Sequence, residues 1–71
     1  MKVVEIFNEE ISIIELLKQA EFAKSNSDAR RLIDGGGIKL NGEIVRDLNY
    51  SLKGDAVLSR GKNRFVQVHF A

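Results

Sequence analysis

The spacing of the apolar residues changes abruptly at Gly35–Gly37, and this change constrains the fold more than any other feature of the sequence. Before the glycines, apolar residues recur every three or four positions, which is the period of an amphipathic helix. After them, apolar and polar residues alternate, which is the period of a strand. The sequence therefore predicts an α+β fold, in which a helical hairpin of two short helices is followed by a small antiparallel sheet.

Two serine residues mark the starts of the predicted helices. Ser12 has a glutamate three residues later, which is the spacing of a capping box, and we expect the first helix to end near Glu21–Ala23. Ser25 has an aspartate at the equivalent position and opens the second helix. That helix is expected to end at Gly35–Gly37, because glycine adopts the left-handed conformation of helix ends at little steric cost.

Turn residues divide the second half of the chain into short strands. Asn41-Gly42 lies between two alternating segments and is a strong signal for a two-residue hairpin turn. Further strands are predicted over Ala56–Arg60 and Arg64–Phe70, with Gly61-Lys62-Asn63 as the turn between them. Within the last strand, alternation predicts that Phe65 lies on the face opposite to its apolar neighbours.

The composition limits what the chain can do. Its 71 residues have room for one domain, and we expect an extended lead-in over residues 1–10 and a single domain over residues 11–71. There is no cysteine and one histidine, so we expect no disulfide, no metal site and no cofactor. Apolar runs are too short to span a membrane, and the start lacks the apolar stretch of a secretory signal, so a cytoplasmic location is expected.

Charge is unevenly distributed along the chain, although the net charge is only +1. Residues 1–21 carry a net charge of −3, and residues 22–71 carry a net charge of +4. The segment 59–71 contains three basic residues and no acid. This gradient favours a surface that faces a polyanion, although charges scattered over a solvated surface would give the same totals.

The second helix presents candidate anion-binding groups. If its apolar stripe faces the core, Ser27, Arg30 and Arg31 point away from the core. The N-terminus of the helix adds free backbone N–H groups and a positive partial charge, which suit phosphate oxygens. The alternative is a solvated helix face, on which Arg30 pairs with Asp34 and Arg31 pairs with Asp28.

Further candidates lie on the predicted strands. Lys39 alternates with apolar neighbours and should lie on the solvent side of its strand. Arg60, Lys62 and Arg64 place three cations on one hairpin tip, where the alternative role is protection of a strand edge against aggregation. Phe65 is able to stack on a nucleobase, with edge packing as the alternative.

No constellation of residues indicates catalysis. His69 has no nucleophile or paired carboxylate beside it in the sequence. The glycine triplet lacks the Lys-Ser/Thr that follows a phosphate-binding loop, and turn geometry explains Asn41. We therefore predict no catalytic residue and expect that the chain is not an enzyme by itself.

The stretch from Ser25 to Gly42 resembles the small RNA-binding domain first recognised in ribosomal small-subunit protein four. Within that superfamily, the chain is most similar to the C-terminal domain of bacterial tyrosyl-tRNA synthetases, and Leu58–Phe65 resembles the closing Arg-Gly-Lys hairpin of that domain. Glu21-Phe22 departs from the pattern, in which Gly-Leu usually stands. The matching residues are Ser25, Ser27, Ala29, Arg30, Arg31, Leu32, Ile33, Gly36, Gly37, Ile38, Leu40, Asn41 and Gly42.

The resemblance implies an alpha-L RNA-binding motif whose partner is tRNA, with tyrosine tRNA expected, and a role in tRNA aminoacylation. It also implies that the catalytic domain of the same full-length chain lies outside these 71 residues. The residues that it places on the RNA-facing side are Ser25, Ser27, Arg30, Arg31, Lys39 and Asn41. We extend this predicted site to the hairpin cations Arg60, Lys62 and Arg64.

Three alternative functions remain compatible with the sequence. The first is a free-standing rRNA- or ribosome-binding module, or the leading domain of a pseudouridine synthase. The second is a DNA-binding or protein-interaction module, because a helical hairpin is able to present a recognition helix. The early stop at Gly35–Gly37 argues against this second reading. The third is an independent enzyme, for which no residue constellation provides support.

Overall fold

The computed structural model describes all 71 residues and contains two helices and seven strands. Neither helix has the length and apolar character that crossing a membrane requires. The predicted α+β class and the predicted helical hairpin are confirmed. The elements are β1 Lys2–Ile6, β2 Ile11–Ser12, α1 Ile13–Gln19, α2 Asn26–Asp34, β3 Ile38–Leu40, β4 Glu43–Ile44, β5 Ser51–Leu52, β6 Ala56–Arg60 and β7 Arg64–Phe70.

Both helices begin at the predicted serine caps. The hydroxyl of Ser12 accepts a hydrogen bond from the backbone N–H of Glu15 at 3.2 Å, and the hydroxyl of Ser25 accepts one from the N–H of Asp28 at 3.2 Å. These bonds satisfy backbone donors that have no partner within the helix. The caps therefore fix where α1 and α2 start.

The first helix ends earlier than predicted, because Glu21 reverses the chain. Glu21 has a φ of 64°, and the N–H of Phe22 donates to the carbonyl of Leu17 at 3.0 Å. This is a Schellman motif with a glutamate at the left-handed position, where glycine is usual. The second helix ends in the same way with Gly36, whose φ is 71°.

The main sheet has five strands in the order β1-β7-β6-β3-β4. Strands β3, β4, β6 and β7 form the predicted antiparallel sheet, and Asn41-Gly42 makes the predicted turn with φ values of 52° and 86°. The sheet as a whole is mixed, because β1 pairs with β7 in parallel. A parallel pair needs a long connection, and here almost the whole chain separates the two strands.

A short ribbon of two antiparallel strands, β2 and β5, lies outside the main sheet. It pairs Ile11 with Leu52 directly before α1 begins. Both residues are buried, so this ribbon attaches the loop after β4 to the start of the first helix. The loop is thereby held beside the helical hairpin.

Residues from both helices and from the main sheet belong to one hydrophobic cluster of nineteen buried residues. Val4 and Ile6 belong to it as well, so the segment before residue 11 contributes to the same core. The domain boundary at residue 10 stays a prediction. The largest fully buried side chains are Ile13, Leu16, Leu17, Ile33, Ile38, Leu58 and Val68.

Alternation along the strands gives the main sheet two unlike faces. The inner face carries the core side chains, such as Leu58, Val66 and Val68. The outer face carries Lys39 and Phe65, and both side chains are exposed. The helices cover only the inner face, so the long side chains of Lys39 and Phe65 reach solvent, whereas the short side chain of Ser59 on the same face is buried.

Candidate nucleic-acid interface

Helix α2 turns its predicted binding residues toward solvent. Ala29 and Ile33 are completely buried, whereas Ser27, Arg30 and Arg31 are exposed. This is the orientation that the apolar stripe of the helix predicts. Both guanidinium groups are therefore accessible to a partner.

None of the six predicted cations forms an ion pair with an acidic side chain. The four ion pairs of the structure are Lys2–Glu21, Lys18–Glu15, Lys53–Glu10 and His69–Asp55. The pairs Arg30–Asp34 and Arg31–Asp28, which the helical spacing allows, do not form. The candidate cations consequently keep their charge available for an external anion.

Three arginines from distant parts of the sequence line one groove beside the helical hairpin. Arg31 comes from α2, Arg60 from β6 and Arg64 from β7. Arg60 and Arg64 are opposite each other in the β6–β7 register, so both side chains lie on the same side of the sheet. We call this set of three, together with Lys24 at its rim, the arginine groove.

The loop between the helices holds two of these arginines in place. Nη1 of Arg60 donates a hydrogen bond to the backbone carbonyl of Phe22 at 3.0 Å. The guanidinium of Arg64 lies over the ring of Phe22, 5.5 Å from its centroid, within the range of a cation–π contact. Arg60 is therefore a structural residue as well as a candidate binding residue.

Two carboxylates also line the arginine groove, but both already have partners. Glu21 contacts Nζ of Lys2 at 2.9 Å, and the hydrogen bond and charge of this lysine lower the pKa of the Glu21 carboxyl below its ordinary value. Asp28 accepts a hydrogen bond from the backbone N–H of Lys24 at 3.3 Å. The groove has an excess of positive charge, because its lining holds four basic residues and these two acidic ones.

The other sheet residues of the predicted binding site lie together in a second groove, on the outer face of the main sheet. Lys39, Asn41 and Lys62 line it with Phe65, and Ser59 lies between them. We call this the lysine groove. The predicted cluster of three cations at the hairpin tip is therefore divided, because Lys62 lines the outer groove and its two arginine neighbours line the inner one.

Asn41 already has a structural role in this groove. Its Oδ1 accepts a hydrogen bond from the N–H of Val57 at 2.9 Å, and its own N–H donates to the carbonyl of Val57 at 2.8 Å. With a φ of 52°, it also occupies the first position of the hairpin turn. These contacts agree with the turn-geometry explanation of this residue.

Arg30 and the helix-cap serine stand apart from both grooves. Arg30 lines a separate depression with Ile14, Leu48 and Asn49. The hydroxyl of Ser25 is engaged in capping α2. Arg30 and Arg31 are neighbours in sequence, but they project about 100° apart around the helix axis.

The structure adds two basic residues that the sequence pattern did not single out. Lys24 lines the arginine groove. Arg46 places its guanidinium against Gly36, such that a Cβ on this glycine would lie 3.2 Å from Nη2 of Arg46. No local pattern reveals this second contact, because it joins two separate elements.

The opposite end of the sheet carries the histidine and no candidate residue. Asp55 accepts hydrogen bonds from the backbone N–H of Phe70 and from Nδ1 of His69, each at 2.8 Å. The Phe70 bond and then the His69 bond lower the pKa of the Asp55 carboxyl. No three His, Cys, Asp or Glu side chains are grouped so that they could hold a metal ion.

Comparison with known proteins identifies a family match over the centre of the chain. Residues 13–58 match the S4 domain, and this range contains both helices and strands β3 to β5. It also contains Arg30, Arg31 and Lys39, whereas the hairpin cations lie beyond its end.

Tyrosine–tRNA ligases from several bacteria are similar to this chain. The enzyme of Helicobacter pylori strain J99 is 44% identical over 64 residues, which cover 89% of this chain and 16% of the ligase. That of Geobacter sulfurreducens is 42% identical over 66 residues, with 90% and 16% covered. That of Thermotoga maritima is 37% identical over 70 residues, with 96% and 17% covered. The chain therefore spans about one sixth of these relatives, and the resemblance found in the sequence is confirmed.

Proposed function

The chain belongs to the S4 domain family of RNA-binding domains, and from this premise we propose that it binds tRNA as the non-catalytic domain of a tyrosine–tRNA ligase. The relatives that it matches are tyrosine–tRNA ligases, which supports tyrosine tRNA as the partner. In this proposal, the catalytic domain of the full-length chain carries out aminoacylation, and the 71 residues hold the tRNA. Because aminoacylation takes place in the cytoplasm, the protein would then be located there.

The observation that carries the proposal is the convergence of unpaired arginines on one side of the molecule. Arg31, Arg60 and Arg64 meet in the arginine groove, and none of them forms an ion pair with an acidic side chain. Guanidinium groups bind phosphate oxygens through paired, charge-assisted hydrogen bonds. A groove of this kind favours the phosphate backbone of a folded RNA over the bases of a particular sequence.

Helix α2 would lie across the RNA in this arrangement. Arg31 would contact phosphates from the arginine groove, and Arg30 would contact the RNA backbone from its separate depression, about 100° further around the helix. The N-terminus of α2, with Ser27 in its first turn, would add donors and positive partial charge. Lys39 and Lys62 would extend the contact around the edge of the sheet.

The test is a fluorescence-anisotropy titration of the chain with labelled tyrosine tRNA, a second tRNA and duplex DNA at several salt concentrations. We expect tRNA to bind more tightly than duplex DNA, with an affinity that falls steeply as salt rises. The double variant Arg30→Ala/Arg31→Ala should bind tRNA at least about tenfold more weakly. Its salt slope should decrease by about 2, because about one counterion is released per phosphate contact.

The matched control is Lys18→Ala/Lys53→Ala, which removes the same charge from residues that are already paired with Glu15 and Glu10. Equal losses of affinity in the two double variants would show that only net charge matters, and would contradict the proposed site. An unchanged tRNA affinity in the arginine variant, with an unchanged melting temperature, would refute the role of α2.

A further inference from the structure

The outer face of the main sheet carries a row of four side chains in register. Lys39 of β3 is opposite Ile44 of β4 on one side and Ser59 of β6 on the other, and Ser59 is opposite Phe65 of β7. Residues that are directly opposite each other in a sheet project from the same face. Lys39 and Phe65 therefore stand on either side of Ser59.

Three residues of this row, Lys39, Ser59 and Phe65, line the lysine groove and form a slot within it. Phe65 is the aromatic wall of the slot, and Lys39 is its cationic wall. Ser59 is buried at its floor, whereas 48% of Phe65 is exposed. Lys39 and Phe65 are two strand spacings apart, which is about 10 Å. Such a slot is wide enough for a flat ring that lies against the phenylalanine, with space for a phosphate toward Lys39.

The charge on the outer face is graded along the strands. Lys39 and Lys62 line the slot, and neither forms an ion pair. The acids of this face lie at the other end of the sheet, where Glu5 is opposite His69 and Asp55 contacts the same histidine. An anion is therefore favoured at the lysine end, beside Phe65.

We propose that the lysine groove holds one unpaired nucleotide, with its base stacked on Phe65 and its phosphate bound by Lys39 and Lys62. The proposal rests on the proposed function, because it takes RNA to be the partner. An exposed aromatic ring on a sheet, flanked by free cations, matches the requirements of single-stranded RNA, whose bases are free to stack.

The arginine groove lacks this capacity. Its aromatic residue, Phe22, is buried, and Arg64 covers the ring. In this proposal, the two faces of the sheet bind different parts of the RNA. The inner side binds phosphates of folded RNA, and the outer side binds a single unstacked base.

A tryptophan in place of Phe65 tests the proposal directly, because the chain contains no other tryptophan. Phe65→Trp is titrated with a five-residue oligoadenylate and, separately, with inorganic polyphosphate. Stacking should quench the tryptophan fluorescence with the oligoadenylate and leave it unchanged with polyphosphate. Oligoadenylate binding seen by anisotropy without any quenching would overturn the proposal.

Anisotropy titrations of the 71-residue chain give the second measurement. Phe65→Ala should weaken oligoadenylate binding about tenfold, and Phe65→Tyr should retain it. Phe7→Ala is the matched control, because Phe7 is 78% exposed and follows the acidic end of β1. Equal effects of the two alanine variants would overturn the proposal.

Two further outcomes separate this inference from the proposed function and from a protein partner. If Arg30→Ala/Arg31→Ala weakens tRNA binding but Phe65→Ala leaves oligoadenylate binding unchanged, the proposed function stands and this inference fails. If the fluorescence of Phe65→Trp shifts with protein concentration alone, the slot is occupied by a second copy of the chain, and the inference again fails.

Discussion

The two grooves of this domain differ in how firmly the fold holds their cations. In the arginine groove, Arg60 is bonded to the Phe22 carbonyl and Arg64 lies over the Phe22 ring. In the lysine groove, Lys39 and Lys62 make no side-chain hydrogen bond or ion pair. The first surface is preorganised and the second is adaptable. A preorganised surface loses less entropy on binding and suits a partner of fixed shape, such as folded RNA.

This difference between the grooves decides whether a substitution changes stability as well as binding. A change of Arg60 or Arg64 removes both a charge and a contact with the loop between the helices. A change of Lys39 or Lys62 removes only a charge. Comparing variants across the two faces therefore shows how much of the interface is built into the fold.

The largest expected effect in this comparison comes from Arg60→Ala. It leaves the Phe22 carbonyl without its donor, so the free energy of unfolding should fall by about 1 kcal/mol and the melting temperature by about 4–8 °C. The affinity for tRNA should fall as well. Thermal denaturation followed by circular dichroism and the anisotropy titration give the two readings.

Lys39→Ala provides the counterpart on the other face, since Lys39 is exposed and has no bonded partner. It should weaken RNA binding while the melting temperature changes by no more than about 2 °C. If Arg60→Ala and Lys39→Ala lower the melting temperature equally, the distinction between a preorganised and an adaptable face is wrong.

A smaller effect is expected where the loop that carries Phe22 begins. Glu21 holds a φ of 64°, which costs energy for any residue with a side chain, so Glu21→Gly should raise the melting temperature by a few degrees. The gain is reduced by loss of the exposed ion pair with Lys2. Lys2→Ala removes that pair alone and therefore measures the contribution of the pair to the melting temperature. A lower melting temperature for Glu21→Gly than for Lys2→Ala would contradict the argument.

At the equivalent position of the second helix, a substitution should change the melting temperature in the opposite direction. Gly36 has a φ of 71° and lies against the guanidinium of Arg46, so Gly36→Ala should lower the melting temperature. If both substitutions moved stability in the same direction, the two helix ends would not be equivalent.

The smallest effect is expected at Asp55, at the far end of the outer face. Its pKa is lowered from 3.8 in the folded chain, so the stability that it contributes is present above about pH 4 and is lost as pH falls through the folded value. Asp55→Asn should therefore be less stable than the unmodified chain at neutral pH, and the difference should disappear in acid.

Asp34→Asn is the control for this experiment, because Asp34 is exposed and accepts no hydrogen bond from another side chain. At neutral pH, Asp55→Asn should lose more stability than Asp34→Asn. Since Asp55 lies away from both grooves, Asp55→Asn should also leave tRNA affinity unchanged, and a clear loss of affinity would place the RNA on that end of the sheet.

The sequence by itself determined the features that depend on neighbouring residues. The serine caps of both helices, the Asn41-Gly42 turn and the strands β6 and β7 were all predictable, because each depends on contacts within a few positions of the chain. The exposure of Arg30 and Arg31 was predictable from helical periodicity alone. The family resemblance came from the same local stretch.

Only the tertiary structure decided which distant residues meet. Alternation indicated that Arg64 and Phe65 face opposite sides, but not that Arg64 joins Arg31 and Phe65 joins Lys39. The parallel pairing of β1 with β7 was equally hidden, because the pattern of a strand carries no information about its partner or direction. Burial of one shared core selects these pairings, and that selection depends on the whole chain at once.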